Sequence, residues 1–218
     1  MRQMLSLSAV DWQTITPDGN AVRLQTSRGT LLAGSVVVAA NIWTRILLPM
    51  LADIIVPVRE QMLAYAPITQ VFTTGLSAVV TVHEYWQQTL DGTILIGGCG
   101  SVAPNEDIGI WEDTPTQVVQ EAIEQVLPRL FPALASLQVA QRWAGLLDYT
   151  TDNHPIVDRV PAMPNVFFVC GFSGHGMPYG MRFGQLLAES VLAGEVAPAL
   201  WPFRMNRPTL RKWDSTQG

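Results

Sequence analysis

The sequence predicts an α+β protein. Segments that alternate apolar and polar residues, separated by turn dipeptides, fill most of residues 1–100 and return at 136–149. Only two stretches hold apolar residues at helical spacing. Near the end a short apolar strand runs through a glycine turn into the second of those helices. With 218 residues, 48% hydrophobic and 14% charged, the chain can bury a sizeable core and is not disordered. Its length suits one large domain or two small ones.

Residues 1–40 read as a β-meander. Thr14–Thr16 and Val22–Thr26 alternate as strands do, with Pro17-Asp18-Gly19-Asn20 as the turn and Arg28-Gly29 as a second. LLAGSVVVAA (31–40) is expected to be one Val-rich strand buried on both faces. Asn41 is placed to cap a short helix, Ile42–Leu51. Strands are expected again over 56–100, with Asp91-Gly92 as a hairpin turn. Thr114-Pro115-Thr116-Gln117 predicts a helix start with a Thr cap and a Gln closing a capping box. Val119, Ile123, Val126, Leu127 and Leu130 keep helical spacing, bounded by Pro128 and Pro132. Asn165–Gly171 is a short strand. The helix after it buries Phe183, Leu186, Leu187 and Val191 and ends at Gly194.

The net charge of -5 argues against a general nucleic-acid binder. No Lys or Arg occurs between Arg59 and Arg129, where nine acidic residues fall, which reads as a solvated negative face. Lys212 is the only lysine, so a buried catalytic lysine is excluded from the candidates. Cys99 and Cys170 form no disulfide framework, which points to a reducing, cytoplasmic setting. No apolar run reaches the roughly 18 residues of a transmembrane helix. His83, His154 and His175 stand alone in sequence, so no metal site is expected.

The chemistry concentrates at Gly171-Phe172-Ser173-Gly174-His175-Gly176. Three glycines let a backbone approach a ligand closely, and a helix N-terminus offers unpaired N–H groups and about half a positive charge. That combination stabilises an anion. Taken alone, the same glycines also fit a tight strand-to-helix turn. The segment is neither a P-loop nor a nucleophile elbow, because no Gly-Lys-Ser/Thr follows and His175 stands where the elbow needs glycine.

Several segments then line up. WAGL (143–146), T-x-D-x-x-P-I (150–156) and GFSGHG (171–176) resemble the C-terminal signature of the D-amino-acid oxidase-like FAD-dependent oxidoreductases, which include glycine oxidase, sarcosine oxidase and dehydrogenase, and D-amino-acid dehydrogenase. GSVVVAANIWT (34–44), VPVREQ (56–61), DGTILIGG (91–98) and ALWPFRMNR (199–207) resemble further family elements. The likeness covers nearly the whole chain in order, and the ordered set is more specific than any one motif.

The resemblance implies oxidation of a C–N bond of an amine or amino acid by hydride transfer to FAD. It implies a partial FAD/NAD(P)-binding-like domain from 1–45 and 150–200, an antiparallel-sheet substrate domain at 46–149 and a tail at 201–218. It places Ala39, Ala40, Asn41, Gly145, Leu146, Gly171, Phe172, Ser173, Gly174, His175, Gly176 and Met177 at the cofactor, with the glycine loop near the pyrimidine edge of the flavin. Gly145 stands where some members carry a flavin-linking Cys, so the FAD is expected to be non-covalent. Leu147 and Pro178 stand where members carry carboxylate-binding Arg or Lys, which leaves Leu147, Arg59 and Arg182 as the substrate-side candidates. No catalytic side chain is assigned, since hydride transfer depends chiefly on positioning.

The family opens with a strand and G-x-G-x-x-G, and no such segment is present here. The expectation is a C-terminal piece whose first half, or a partner subunit, lies elsewhere, with an apolar edge left exposed. A non-catalytic flavoprotein remnant is the rival reading.

Overall fold

The computed structural model describes residues 12–78 and 83–213. Residues 1–11, 79–82 and 214–218, which include parts of the expected meander, of one strand and of the tail, lie outside the described residues. Strands β1 (Trp12–Asp18), β2 (Ala21–Thr26) and β3 (Gly29–Ala33) form the expected antiparallel meander. Asp18 pairs with Ala21 across a turn in which Gly19 takes φ +59.

The expected single strand over 31–40 divides instead. β3 ends at Ala33, the chain bends at Gly34-Ser35, and β4 (Val36–Val38) begins. β3 pairs with β2, whereas β4 pairs in parallel with a strand from the end of the chain. The two halves therefore join different sheets, and neither is buried on both faces: Leu32 is 62% and Val37 43% exposed. The expected helix Ile42–Leu51 is also corrected. Asn41–Trp43 and Pro49–Leu51 are single 3₁₀ turns around the four-residue α1 (Thr44–Leu47). Pro49 has no N–H to continue a helix. Asn41 sits at φ +50 as the first residue of its turn, and no side chain caps it.

β5 (Val56–Tyr65), β6 (Leu76–Ala78), β7 (Glu84–Gln88) and β8 (Ile94–Gly97) follow. The hairpin between β7 and β8 turns at Gly92 (φ +91), where any Cβ would lie 2.3 Å from the Ile68 carbonyl oxygen. Helix α2 (Gln117–Leu130) has Thr116 at its N-cap position, two residues beyond the expected Thr114 and without a side-chain capping bond. No capping box closes. The Thr116 hydroxyl instead accepts from Gln61 Nε2 at 2.9 Å, and the Thr116 N–H donates to Gln61 Oε1 at 2.9 Å.

Pro128, expected to bound this helix, lies inside its last turn. Its missing N–H leaves the Glu124 carbonyl without an intrahelical donor, and the Tyr65 hydroxyl donates there at 3.1 Å. β9 (Val139–Tyr149), β10 (Ile156–Arg159), β11 (Val166–Cys170) and α3 (Gly176–Ala193) complete the chain, with Gly194 ending α3 at φ +75.

The described strands form three sheets, ordered β1-β2-β3, β10-β11-β4 and β6-β7-β8-β5-β9. The chain divides into two units, Met1–Val56 with Asp148–Ser215 and Pro57–Leu147 with Thr216–Gly218. The sequence reading drew these boundaries at 45/46 and 149/150. Residues 46–56 and 148–149 join the first unit, as does the described part of the tail. In the first unit Val157, Phe167, Phe183, Leu186, Leu187 and Leu200 pack together around β11 and α3. In the second, α2 lays Val119, Ile123, Val126 and Leu127 on one face of the five-stranded sheet, against Leu63, Tyr65, Trp86 and Ile96. Period-two alternation along β5 and β8 puts Gln61, Leu63 and Tyr65 on that face and Met62 on the other.

Candidate cofactor and substrate sites

β11 ends at Cys170, and the loop that follows adopts left-handed backbone at Gly171 (φ +72), Ser173 (φ +49) and Gly174 (φ +81). Gly171 is doubly required, because a Cβ there would also lie 2.5 Å from Thr150 Cγ2. The loop is tied to the end of β9 and the residues just after it. The buried Asp148 carboxylate accepts the N–H groups of Gly171 and Phe172, the latter at 3.1 Å. The Asp148 carbonyl accepts the Ser173 N–H at 2.9 Å. Ser173 Oγ accepts the Thr150 N–H at 3.1 Å, so this hydroxyl faces inward. Burial pushes the Asp148 carboxyl above the usual carboxylate range, with the two amide bonds opposing that rise.

α3 then starts at Gly176 with no side-chain cap and no acidic residue in its first turn. Its first N–H groups have no partner inside the helix, and its positive end is not neutralised by its own side chains. A flavin edge that gathers negative charge fits such a terminus. β4 and β11 run parallel with Val36 opposite Val166 and Val38 opposite Phe168. Ala39, Ala40 and Asn41 therefore leave the sheet at the same edge as Gly171, the edge where open α/β sheets bind ligands. Ala39 and Ala40 also border a cavity of about 270 Å³ with Trp12, Ile15, Leu24 and Leu47.

The remaining candidates fall in varied places. The Phe172 ring packs on Phe183, 6.2 Å between centroids, while His175 and Met177 are exposed. Gly145 is exposed with open space where a Cβ would be, Leu146 is buried, and Leu147 is half-buried. All three belong to the second unit. Arg182 lies exposed on α3 and donates to Gln185 Oε1 at 2.9 Å.

Arg59, a substrate-side candidate, closes on Asp107 with Nε and one terminal nitrogen, each at 2.8 Å, and its other terminal nitrogen reaches the Thr114 carbonyl at 3.2 Å. Asp107 raises the Arg59 pKa above its ordinary value, and burial opposes that rise. Arg59 therefore organises the second unit from inside.

Sequence reasoning passed over Tyr85. It lies on the sheet face opposite α2, beside a cavity of about 350 Å³ bordered by Met62, Leu76, Ser77, Gln87 and Leu95. Its hydroxyl reaches Met62 Sδ at 3.2 Å, and burial, with the charge of Glu60, pushes the phenol up to about 12. A Cβ on Gly97 would lie 2.2 Å from that sulfur and 2.7 Å from that hydroxyl, so glycine makes room for the pair. The alternation of HEYWQQ before the Asp91-Gly92 turn was the signal that could have found it.

Glycine oxidase of Bacillus subtilis (strain 168) is 26% identical over 196 residues, 87% of this chain and 50% of that protein. Sarcosine oxidase subunit beta of Rhodobacter capsulatus is 27% identical over 196 residues, 88% of this chain and 45% of that protein. The chain thus spans at most about half the length of these curated relatives. The crystal structure of L-proline dehydrogenase from P. horikoshii shares the fold, with a TM-score of 0.78 at 24% identity over 94% of this chain and 56% of that one. Residues 8–190 match the family described as FAD dependent oxidoreductase (DAO), and the chain belongs to that family.

Proposed function

We propose that this chain serves the oxidation of a C–N bond in an amine or amino acid, with non-covalent FAD as the cofactor. The observation that carries this reading is the uncapped N-terminus of α3, presented by a left-handed glycine loop at the end of a parallel strand. When bound, FAD supplies a two-electron acceptor for a hydride. The Gly174–Met177 backbone would hold its ring edge, and Ala39 to Asn41 would flank it at the same sheet edge. Ser173, Phe172 and Leu146 would act through packing and loop shape. On the substrate side, Met62 and Tyr85 would border the amine or amino acid, with Arg59, Leu147 and Arg182 as the further candidates.

The reading includes a dinucleotide-binding segment outside these 218 residues, either the missing first half of one chain or a partner subunit, in a reducing cytoplasmic setting. The exposed edge strand β4 and the uncovered face of α3 support that requirement. Among the described residues no helix is long and apolar enough to cross a membrane.

Two measurements test the proposal. Coding sequence directly upstream should continue in frame into a strand–GxGxxG–helix, or a neighbouring gene should supply one. The chain together with that segment should retain yellow FAD and lose its colour anaerobically on adding an amine or amino acid. Retained flavin that no amine or amino acid reduces would sink the C–N assignment and favour the non-catalytic remnant.

A further inference from the structure

We infer that Asp148 is the positioning residue of the glycine loop. By holding the amides of Gly171 and Phe172 it fixes the path on which α3 begins and so aims the N-terminus proposed to face the flavin. The inference rests on that reading of the site for its meaning, but its geometry stands independently. Asp148 is 3% exposed, and its carboxylate accepts two main-chain N–H groups of the loop. Three consecutive amides, those of Gly171, Phe172 and Ser173, converge on this one residue, two on the carboxylate and one on the carbonyl. A carboxylate can accept at both oxygens at once. An amide side chain must turn a donor toward one of the two N–H groups, and a Glu would push its oxygens about one methylene too far. Charge and reach are both required.

This arrangement divides the labour within the loop. The amides of Gly171, Phe172 and Ser173 bond to Asp148, and that of His175 to the Phe172 carbonyl. The donors left for an anion are those of Gly174, Gly176 and Met177, because Pro178 has no N–H. Asp148 also puts a buried negative charge behind the loop, which opposes the build-up of further negative charge in front of it.

Protonating Asp148 replaces one acceptor by a hydroxyl and loosens the loop. The burial-raised carboxyl reaches that state above the ordinary Asp range of about 3.9. The Cys170 thiol on β11 is pushed well up by burial and by the charge of Asp148; Arg207 pairs with Asp152, and the Tyr149 hydroxyl, His154 and His175 belong to the adjoining strand end, turn and loop. Asp152 is held below its usual range by Arg207, so it ionises on the acid side of the Asp148 step.

The test is amide hydrogen–deuterium exchange of the full chain at low micromolar concentration, from pH 7 to pH 4, corrected for intrinsic rates. A H154Q/H175Q background removes the imidazoles. Protection at 171–173 and at the first helix-bonded amides of α3, 179–181, is expected to fall at least tenfold on acidification, with one midpoint above 3.9, while α2 stays protected. Asp148→Asn and Asp148→Glu should each start with low protection at 171–173 and 179–181 and show no such step. Asp158→Asn, which removes a carboxylate paired elsewhere in the same unit, should keep it. Loss of protection confined to 171–173, with 179–181 unmoved, would overturn the positioning role. So would an Asp148→Glu protein that behaves like wild type. If the variants do not fold, the wild-type pH step alone decides. Failure of the chain joined to its dinucleotide-binding segment to bind flavin would defeat the proposed function and leave this result intact.

Discussion

Arg59 and Asp107 form a two-point ion pair inside the second unit, with side chains 10% and 5% exposed. Asp107 is the last of three consecutive residues in left-handed backbone, after Asn105 (φ 49) and Glu106 (φ 53). Each such non-glycine residue costs roughly 1–2 kcal/mol. The pair, with Gln61 Nε2 on Asp107 at 3.3 Å, helps hold that turn closed. Arg59→Ala leaves a buried carboxylate without its cation and is expected to cost about 3–5 kcal/mol. Urea unfolding checks this. An apolar double replacement, Arg59→Met with Asp107→Leu, should recover part of the loss, and a single variant as stable as wild type would contradict the pairing.

Tyr65 replaces the donor that Pro128 lacks. Tyr65→Phe should destabilise by about 1–2 kcal/mol, because the Glu124 carbonyl loses its partner. In a Pro128→Ala background the helix supplies its own N–H, and the same change should cost less. A double-mutant cycle with no coupling would refute this account.

Asp152 accepts two bonds from Arg207 at 2.7 Å and one from the Thr209 hydroxyl at 2.6 Å, and these partners hold it well below the ordinary carboxylate range. A carboxyl lowered on folding contributes stability that is complete above the unfolded value of about 3.9 and fades as pH falls below it. Asp152→Ala should therefore cost about 3 kcal/mol at pH 7. The gap from wild type should shrink below pH 4, read from thermal or urea midpoints at each pH. A gap independent of pH would show that the pair is not responsible.

Met177, Met181 and Leu192 are 93%, 88% and 90% exposed, and with Gly184 and Ala188 between them they follow one face of α3. Val37 on the edge strand β4 is 43% exposed. The chain alone should self-associate as its concentration rises, followed by light scattering. Met181→Lys with Val37→Lys should suppress this while moving stability by no more than about 0.5 kcal/mol per site. Association unchanged by both would place the sticky surface elsewhere.

Sequence alone located the meander, β11, the glycine loop and α3, because period, turn glycines and helix end are local signals. The division of LLAGSVVVAA was hidden, since it depends on β4 choosing β11 over β2, a decision made by residues at the other end of the chain. The role of Arg59 was hidden for a similar reason: its partner Asp107 belongs to a turn whose shape periodicity does not reveal. Asp148 looks like any strand-end acid until the path of the loop over it is known.

The register of β4 carries a consequence for how the protein is made. Val36 emerges from the ribosome long before Val166, the residue it must pair with, and residues 57–147 of the second unit are translated in between. The first unit therefore cannot close during synthesis of its opening stretch. Contacts this distant in sequence slow folding, and β4 must wait without its partner until β11 has been translated.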